Sequence, residues 1–299
     1  MERHGDYMFS KKLFILSLVV GCSVSLLTGC SSQSFKSQIE RSEEDLLSDE
    51  SFMRYNSLRL EKTDQNKSNF ISDSLRACHQ GKIKKGTLLL EENTEKNKAN
   101  PEFWNALGTC YLLDNDNNKA KFYYQLGLEA LAQNKNIKNS TNIEAMIKNN
   151  LGLIMLKNKR INEAFDAFQE ASILAPSFHT PLFNMAQIYM EYYQNEKAIE
   201  ILEKLKVKNP KDIDVLYSLA VLYQRSGEYK KSYVAVSNIN LNYLNRADIV
   251  GVYALNLYQN KELEKAKLIL EKRTYAEEFN TRNKMLLELI NDAIKAQKN

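Results

Sequence analysis

Reactive side chains are few in this chain of 299 residues, and their spacing limits what they can do. Of four cysteines, Cys30 follows Thr28 and Gly29 at the end of an uncharged apolar stretch, Leu13 to Leu27. A thiol there, with small residues ahead of it, is a nucleophile open to alkylation and leaves room for a peptidase. Cys78 and Cys110 belong to no metal-ligand spacing. An oxidising compartment would permit a disulfide between them, but two buried free thiols are the favoured reading. His4, His79 and His179 are isolated and form no H-E-x-x-H pair. No glycine-rich phosphate loop or G-x-S-x-G elbow occurs. The run Asp114-Asn115-Asp116-Asn117-Asn118 begins like a calcium loop. No glycine follows Asn118, however, and Gln125 stands where the bidentate glutamate belongs, so the run reads as a turn. No catalytic constellation, metal site or cofactor is expected.

The elements around Cys30 define an export signal. Lys11 and Lys12 form a basic leader, the apolar stretch is shorter than the roughly 20 residues of a membrane span, and Ser31, Ser32, Gln33 and Ser34 follow. Leu27-Thr28-Gly29-Cys30 resembles the lipobox of bacterial lipoproteins. That resemblance implies cleavage before Cys30, diacylglycerol on its thiol and anchoring in a bacterial membrane. Val19-Val20-Gly21-Cys22 is a second, less well placed match. Glu2 and Asp6 are unusual in a basic leader, which leaves Met8 as an alternative start. Ser31 resembles the outer-membrane sorting pattern and implies a periplasm-facing location. The expected division is 1–29 signal peptide, 30–69 lipidated N-terminus and polar tether, and 70–297 folded array.

Composition agrees with a helical, solvated protein. Ten glycines and four prolines are few for this length, which disfavours a β-rich fold. The 41 basic and 37 acidic side chains are interspersed, leaving a net charge of +4 and no basic stripe for nucleic acid.

The array announces itself by a 34-residue period. Ala164, Ala198, Ser232 and Ala266 are 34 apart, as are Gly152, Ala186, Ala220 and Ala254, and Pro176 and Pro210. A period of this length marks stacked helix pairs sharing one core. The clearest unit starts at Pro101, with Asn100 placed to cap it. Trp104, Leu107, Gly108 and Tyr111 fall on one helical face, and Ala120, Tyr124 and Gly127 on the facing one. This W-x2-L-G-x2-Y…A-x3-Y pattern resembles the tetratricopeptide repeat. The resemblance implies an all-α solenoid of five to six pairs, with Ser74, Gly81, Gly86 and Leu90 in a degenerate first unit. Residues 279–297 supply a capping helix. The period breaks once: Ala120 to Ala164 is 44, the extra ten residues lying near Ala132–Asn142, as an inert loop or as extended helix ends.

In this family the inner curve is lined by the first helix of each pair. Positions one after the core residues are therefore expected to face a groove: Asn105, Thr109 and Leu112; Asn149, Leu153 and Leu156; Phe183, Gln187 and Met190; Tyr217, Val221 and Gln224; Leu255 and Tyr258. Apolar side chains mixed with amides suit an extended peptide or amphipathic helix; the alternative is that some pack between repeats. The carboxylate clamp of some relatives needs paired cations, which Thr180 and Asn184 do not supply. The expected function is a lipid-anchored protein scaffold or adaptor without catalysis. The architecture also resembles pilotin-type lipoproteins, which help a secretin assemble in the outer membrane; an adaptor for periplasmic hydrolases is the other reading.

Overall fold

The computed structural model describes residues 69–134, 136–239, 246–271 and 280–298. The signal peptide, Cys30 and nearly all of the 30–69 tether lie outside the described residues.

The described residues form fourteen helices. A degenerate pair comes first, α1 (Phe70–His79) and α2 (Ile83–Glu91), followed by the single turn α3 (Thr94–Asn97). Five regular pairs follow: α4 (Pro101–Leu113) with α5 (Asn117–Gln133), α6 (Ser140–Lys157) with α7 (Ile161–Leu174), and α8 (Thr180–Glu191) with α9 (Asn195–Lys208). The last two are α10 (Ile213–Arg225) with α11 (Tyr229–Ser237), and α12 (Ala247–Gln259) with α13 (Leu263–Glu271). The chain closes on α14 (Asn280–Lys298), which buries Leu286, Ile290 and Ile294 as a single stripe. No helix among the described residues is long and apolar enough to cross a membrane.

The repeat follows from a few positions. The Asn100 side chain accepts from Glu102 N–H, and Pro101 occupies the first turn of α4, where no amide hydrogen is missed. Ala120, Ala164, Ala198 and Ala266 have no accessible surface, because the second helix of each pair touches the first there. Ser232 takes the same place in α11, and its hydroxyl donates to Ala220 O at 2.7 Å, so the polar atom is satisfied inside the core. Gly108 and Gly152 lie against the rings of Tyr124 and Phe168, where a Cβ would come within 2.6 Å of ring carbon.

The hairpin between paired helices repeats as strictly as the core. Gly81, Asn115, Lys159, Tyr193, Gly227 and Lys261 all have a positive φ. Each is followed by a residue whose amide bonds five residues back: Lys82 to Ala77, Asp116 to Tyr111, Arg160 to Met155, Gln194 to Tyr189, Glu228 to Tyr223 and Glu262 to Leu257. This is the Schellman closure, which satisfies carbonyls at the helix end. Its presence at Gly81 identifies α1–α2 as a true unit despite its poor sequence match.

The extra ten residues do not make a separate loop domain. They lengthen α5 and α6 to 17 and 18 residues, against 13 and 14 for α4 and α7. One expectation is corrected. Cys78 and Cys110 form a disulfide, with Cα atoms 5.4 Å apart, instead of remaining free thiols. The reason is geometric: both project from the first helices of adjacent units into one small cluster with Leu75, Leu90 and Phe103.

Candidate protein-binding face

The first helices of successive units lie side by side, and polar side chains join them into a ladder. Asn150 of α6 donates to Asn105 Oδ1 of α4 at 3.3 Å and to Thr109 Oγ1 at 3.4 Å. Asn149 donates to Asn150 Oδ1, and Asn184 of α8 donates to Asn149 Oδ1 at 2.8 Å. Gln187 donates to Ser218 Oγ of α10 at 3.0 Å, and Gln224 to Gln259 Oε1 of α12 at 2.7 Å. Asn149 to Asn184 and Gln224 to Gln259 are separated by 35 residues, one more than the period, and Asn105 to Asn150 by 45, one more than the interrupted period. These three rungs thus span from one unit to the next at an offset of one residue, whereas Gln187 to Ser218 is separated by 31.

All these amides except Gln259 are buried, so each unpaired atom is costly. Among the described residues, three atoms on α8 have no hydrogen-bond partner: Thr180 Oγ1, Asn184 Oδ1 and Gln187 Oε1. They fall on one face of the helix, at intervals of four and three residues. The amide donors of Asn184 and Gln187 are spent on neighbouring units, and the three oxygens are enclosed.

Charge on this side is neutralised internally. Arg246 reaches Asp214 Oδ1 at 2.7 Å and grips Asp248 through Nη2 at 2.6 Å and Nε at 3.2 Å. Burial alone would lower the guanidinium's pKa, but the two carboxylates outweigh it and hold the charge more firmly than usual. Arg225 donates to Met190 O at 3.2 Å and lies over the Tyr193 ring.

The structure places the residues expected to line a groove on these same helices, with different exposures. Asn149, Leu153, Phe183, Gln187, Met190, Tyr217 and Val221 are each at most 3% exposed. Phe183, Met190, Tyr217 and Val221 belong to one continuous apolar cluster with the cores of α10 to α14. In this conformation they are enclosed by the packing of neighbouring units. Asn105, Thr109, Leu112 and Gln224 are also buried. Leu156, Leu255 and Tyr258 are half-buried and offer surface. The ladder itself was missed by sequence reading. The signal for the Asn105–Asn150, Asn149–Asn184 and Gln224–Gln259 rungs was amides recurring one residue beyond the period.

Among the described residues, the other reactive groups do not assemble a centre. His79 is depressed below its ordinary pKa by burial. Asp116 caps α5 by accepting from Lys119 N–H at 3.0 Å, and Asn115 takes the left-handed turn position. Asp114 to Asn118 line an open cleft of about 800 Å³ with Leu151, Ile154, Met155 and Arg160. No group of three or more metal-ligating side chains occurs among the described residues.

Comparison with known proteins agrees with this geometry. Residues 101–133 match the family model of the tetratricopeptide repeat. PilF of Pseudomonas aeruginosa is similar in structure, at 18% identity and a TM-score of 0.56, over 68% of this chain and 88% of that one. PilW, a type IV pilus biogenesis factor, matches with a TM-score of 0.55 and 14% identity, over 73% of this chain and 96% of that one. In sequence, 81 residues are 32% identical to the photosystem I assembly protein Ycf3 of Prochlorococcus marinus (strain MIT 9215), over 26% of this chain. The match spans about half of that relative, 47% of its length. The fold is a tetratricopeptide-repeat solenoid.

Proposed function

We propose that the chain is a non-catalytic adaptor, tethered by lipid on Cys30 to the periplasmic side of a bacterial outer membrane, which holds a protein segment against the first helices of its units. The observation that carries the binding half is the half-buried apolar surface that Leu156, Leu255 and Tyr258 leave on the first helices of their units. Apolar side chains spaced along a helical repeat surface suit a peptide or an amphipathic helix. Stacked repeats serve mainly as such extended surfaces. The sharper reading is a pilotin-like factor acting on the secretin of type IV pili. Its support is the shared solenoid of PilF and PilW together with the lipobox of Leu27 to Cys30. At these identities the likeness is one of fold, so the partner is part of the proposal.

Metabolic labelling with a palmitate analogue tests the anchor. The wild-type chain should incorporate label and fractionate with outer membranes, and Cys30→Ser should do neither. An unlabelled wild-type chain overturns the anchor. For the pilotin reading, secretin multimers should fall in a strain lacking this chain and recover with the wild type. Multimers unaffected by its loss would leave the general adaptor and remove the secretin.

A further inference from the structure

The first helix pair is poorly equipped to hold itself on the array. Of its two helices, ten and nine residues long, α1 buries Ser72, Ser74, Leu75, Ala77 and Cys78, and α2 buries Gly86, Thr87 and Leu90. Two large aliphatic side chains are therefore fully inside, whereas α10 alone buries Leu216, Leu219 and Leu222 together with Tyr217. Helices this short are marginal without tertiary packing. Lys82, before α2, makes no side-chain cap. The pair is joined to α4 by the Cys78–Cys110 bond, by the Phe70–Phe103 contact at 6.4 Å, by the Tyr111–Glu91 hydrogen bond and by the apolar contacts of Leu75 and Leu90. Gly86 is packed so closely on Cys78 Sγ and Ser74 O that a Cβ there would displace one of them. Small residues thus let α2 close over the sulfur.

We propose that Cys78 and Cys110 are an oxidative modification site that makes the N-terminal cap of the solenoid conditional on redox state. Oxidised, the bond pins α1–α2 over Phe103, Ala106 and Leu107. Reduced, the pair opens locally and that apolar face of α4 is uncovered, while the later repeats stay folded. Forming the bond takes two electrons and two protons from the two thiols. A disulfide compound of the compartment, protein-borne or small, receives them by exchange through a mixed disulfide and is released as two thiols. Bonds of this kind persist in oxidising compartments. The proposal is independent of acylation at Cys30.

Two measurements on the full-length exported protein test it. Trypsin digestion without reductant should yield Ala77–Lys82 joined to Ala99–Lys119; recovery of both as free thiols overturns the oxidation. Hydrogen exchange, with and without a phosphine reductant, tests the cap. On reduction, amides of α1 and α2 should lose protection about tenfold or more while those of α8 to α12 keep theirs. Unchanged protection in α1 and α2, or equal loss along the whole array, overturns the conditional cap. Cys78→Ser with Cys110→Ser should reproduce the reduced pattern without reductant.

Discussion

Asn184 donates to Asn149 Oδ1 over 2.8 Å, joining the first helices of two consecutive units between residues with no accessible surface. In a stack of repeats, stability comes from each unit and from the interfaces between neighbours. A buried amide rung at such an interface couples them, and deleting one partner strands the other in a low-dielectric interior. Asn184→Ala should cost about 1–3 kcal/mol. Urea unfolding followed by circular dichroism checks it, and an unchanged midpoint would show that the ladder does not hold the units together.

Gly152 is a steric requirement of the α6–α7 pair. A Cβ would approach Phe168 Cε1 to 2.6 Å and Cδ1 to 2.9 Å. Gly152→Ala should therefore destabilise by about 1–3 kcal/mol, although alanine is the better helix former. Adding Phe168→Leu should recover part of that loss by removing the ring. A single variant that melts at or above the wild-type temperature would show that the pair relaxes freely.

How much was legible in the sequence depends on which interaction repeats. The contacts within one unit recur at fixed offsets, so Ala120, Gly152 and Ala198 gave away the pairing and the number of units. The turn at Gly81 repeats as well, though Lys159, Tyr193 and Lys261 hide it by adopting a conformation usually left to glycine. Contacts between units were not legible in the same way. Phe183 and Tyr217 sit on the helix face expected to line a groove, and only the packing of neighbouring units decides that they are enclosed. The Cys78–Cys110 pairing depends on the same packing. A spacing of 32 residues says nothing of where two helices lie until the superhelix is known.

Tyr223 donates to Glu203 Oε1 at 2.6 Å, linking α10 to α9, and Tyr111 makes the equivalent bond to Glu91 between α4 and α2. Burial and then the hydrogen bond raise the Tyr223 pKa. Glu203 is pushed up by burial, but bonds from Lys206 and Tyr223 outweigh this and leave it below the usual carboxylate value. The signs are opposite. The tyrosine's contribution is present below its unfolded pKa of about 10 and is lost as pH rises beyond it. That of the carboxylate is present above about 4.3 and is lost as pH falls toward its lowered value. Tyr223→Phe should cost about 0.5–1.5 kcal/mol at neutral pH and flatten the alkaline decline in stability. Melting temperatures from pH 7 to 11 for both proteins check the sign; parallel curves would contradict it.

Two double variants on the first helices of the units separate packing from binding. Phe183 and Tyr217 are 0% and 1% exposed and belong to the central core, so a partner cannot reach them in this conformation. Replacing a buried aromatic ring by alanine costs about 3–5 kcal/mol in lost transfer energy and cavity formation. Phe183→Ala with Tyr217→Ala should therefore lower the melting temperature sharply, with partner capture lost only as the array unfolds. Leu156 and Tyr258 are half-buried on helices of the same series. Leu156→Ala with Tyr258→Ala should lower the melt less than the core pair does, because both side chains are only partly buried against the core, while weakening capture of a protein partner by about 1–3 kcal/mol. Thermal melts and quantitative pull-down on the same samples read both effects. If the core variant stays folded yet loses its partner, the array opens to admit one, and Phe183 and Tyr217 are contacts after all. If the surface variant binds as well as wild type, the partner sits elsewhere and the first-helix face is not the docking surface.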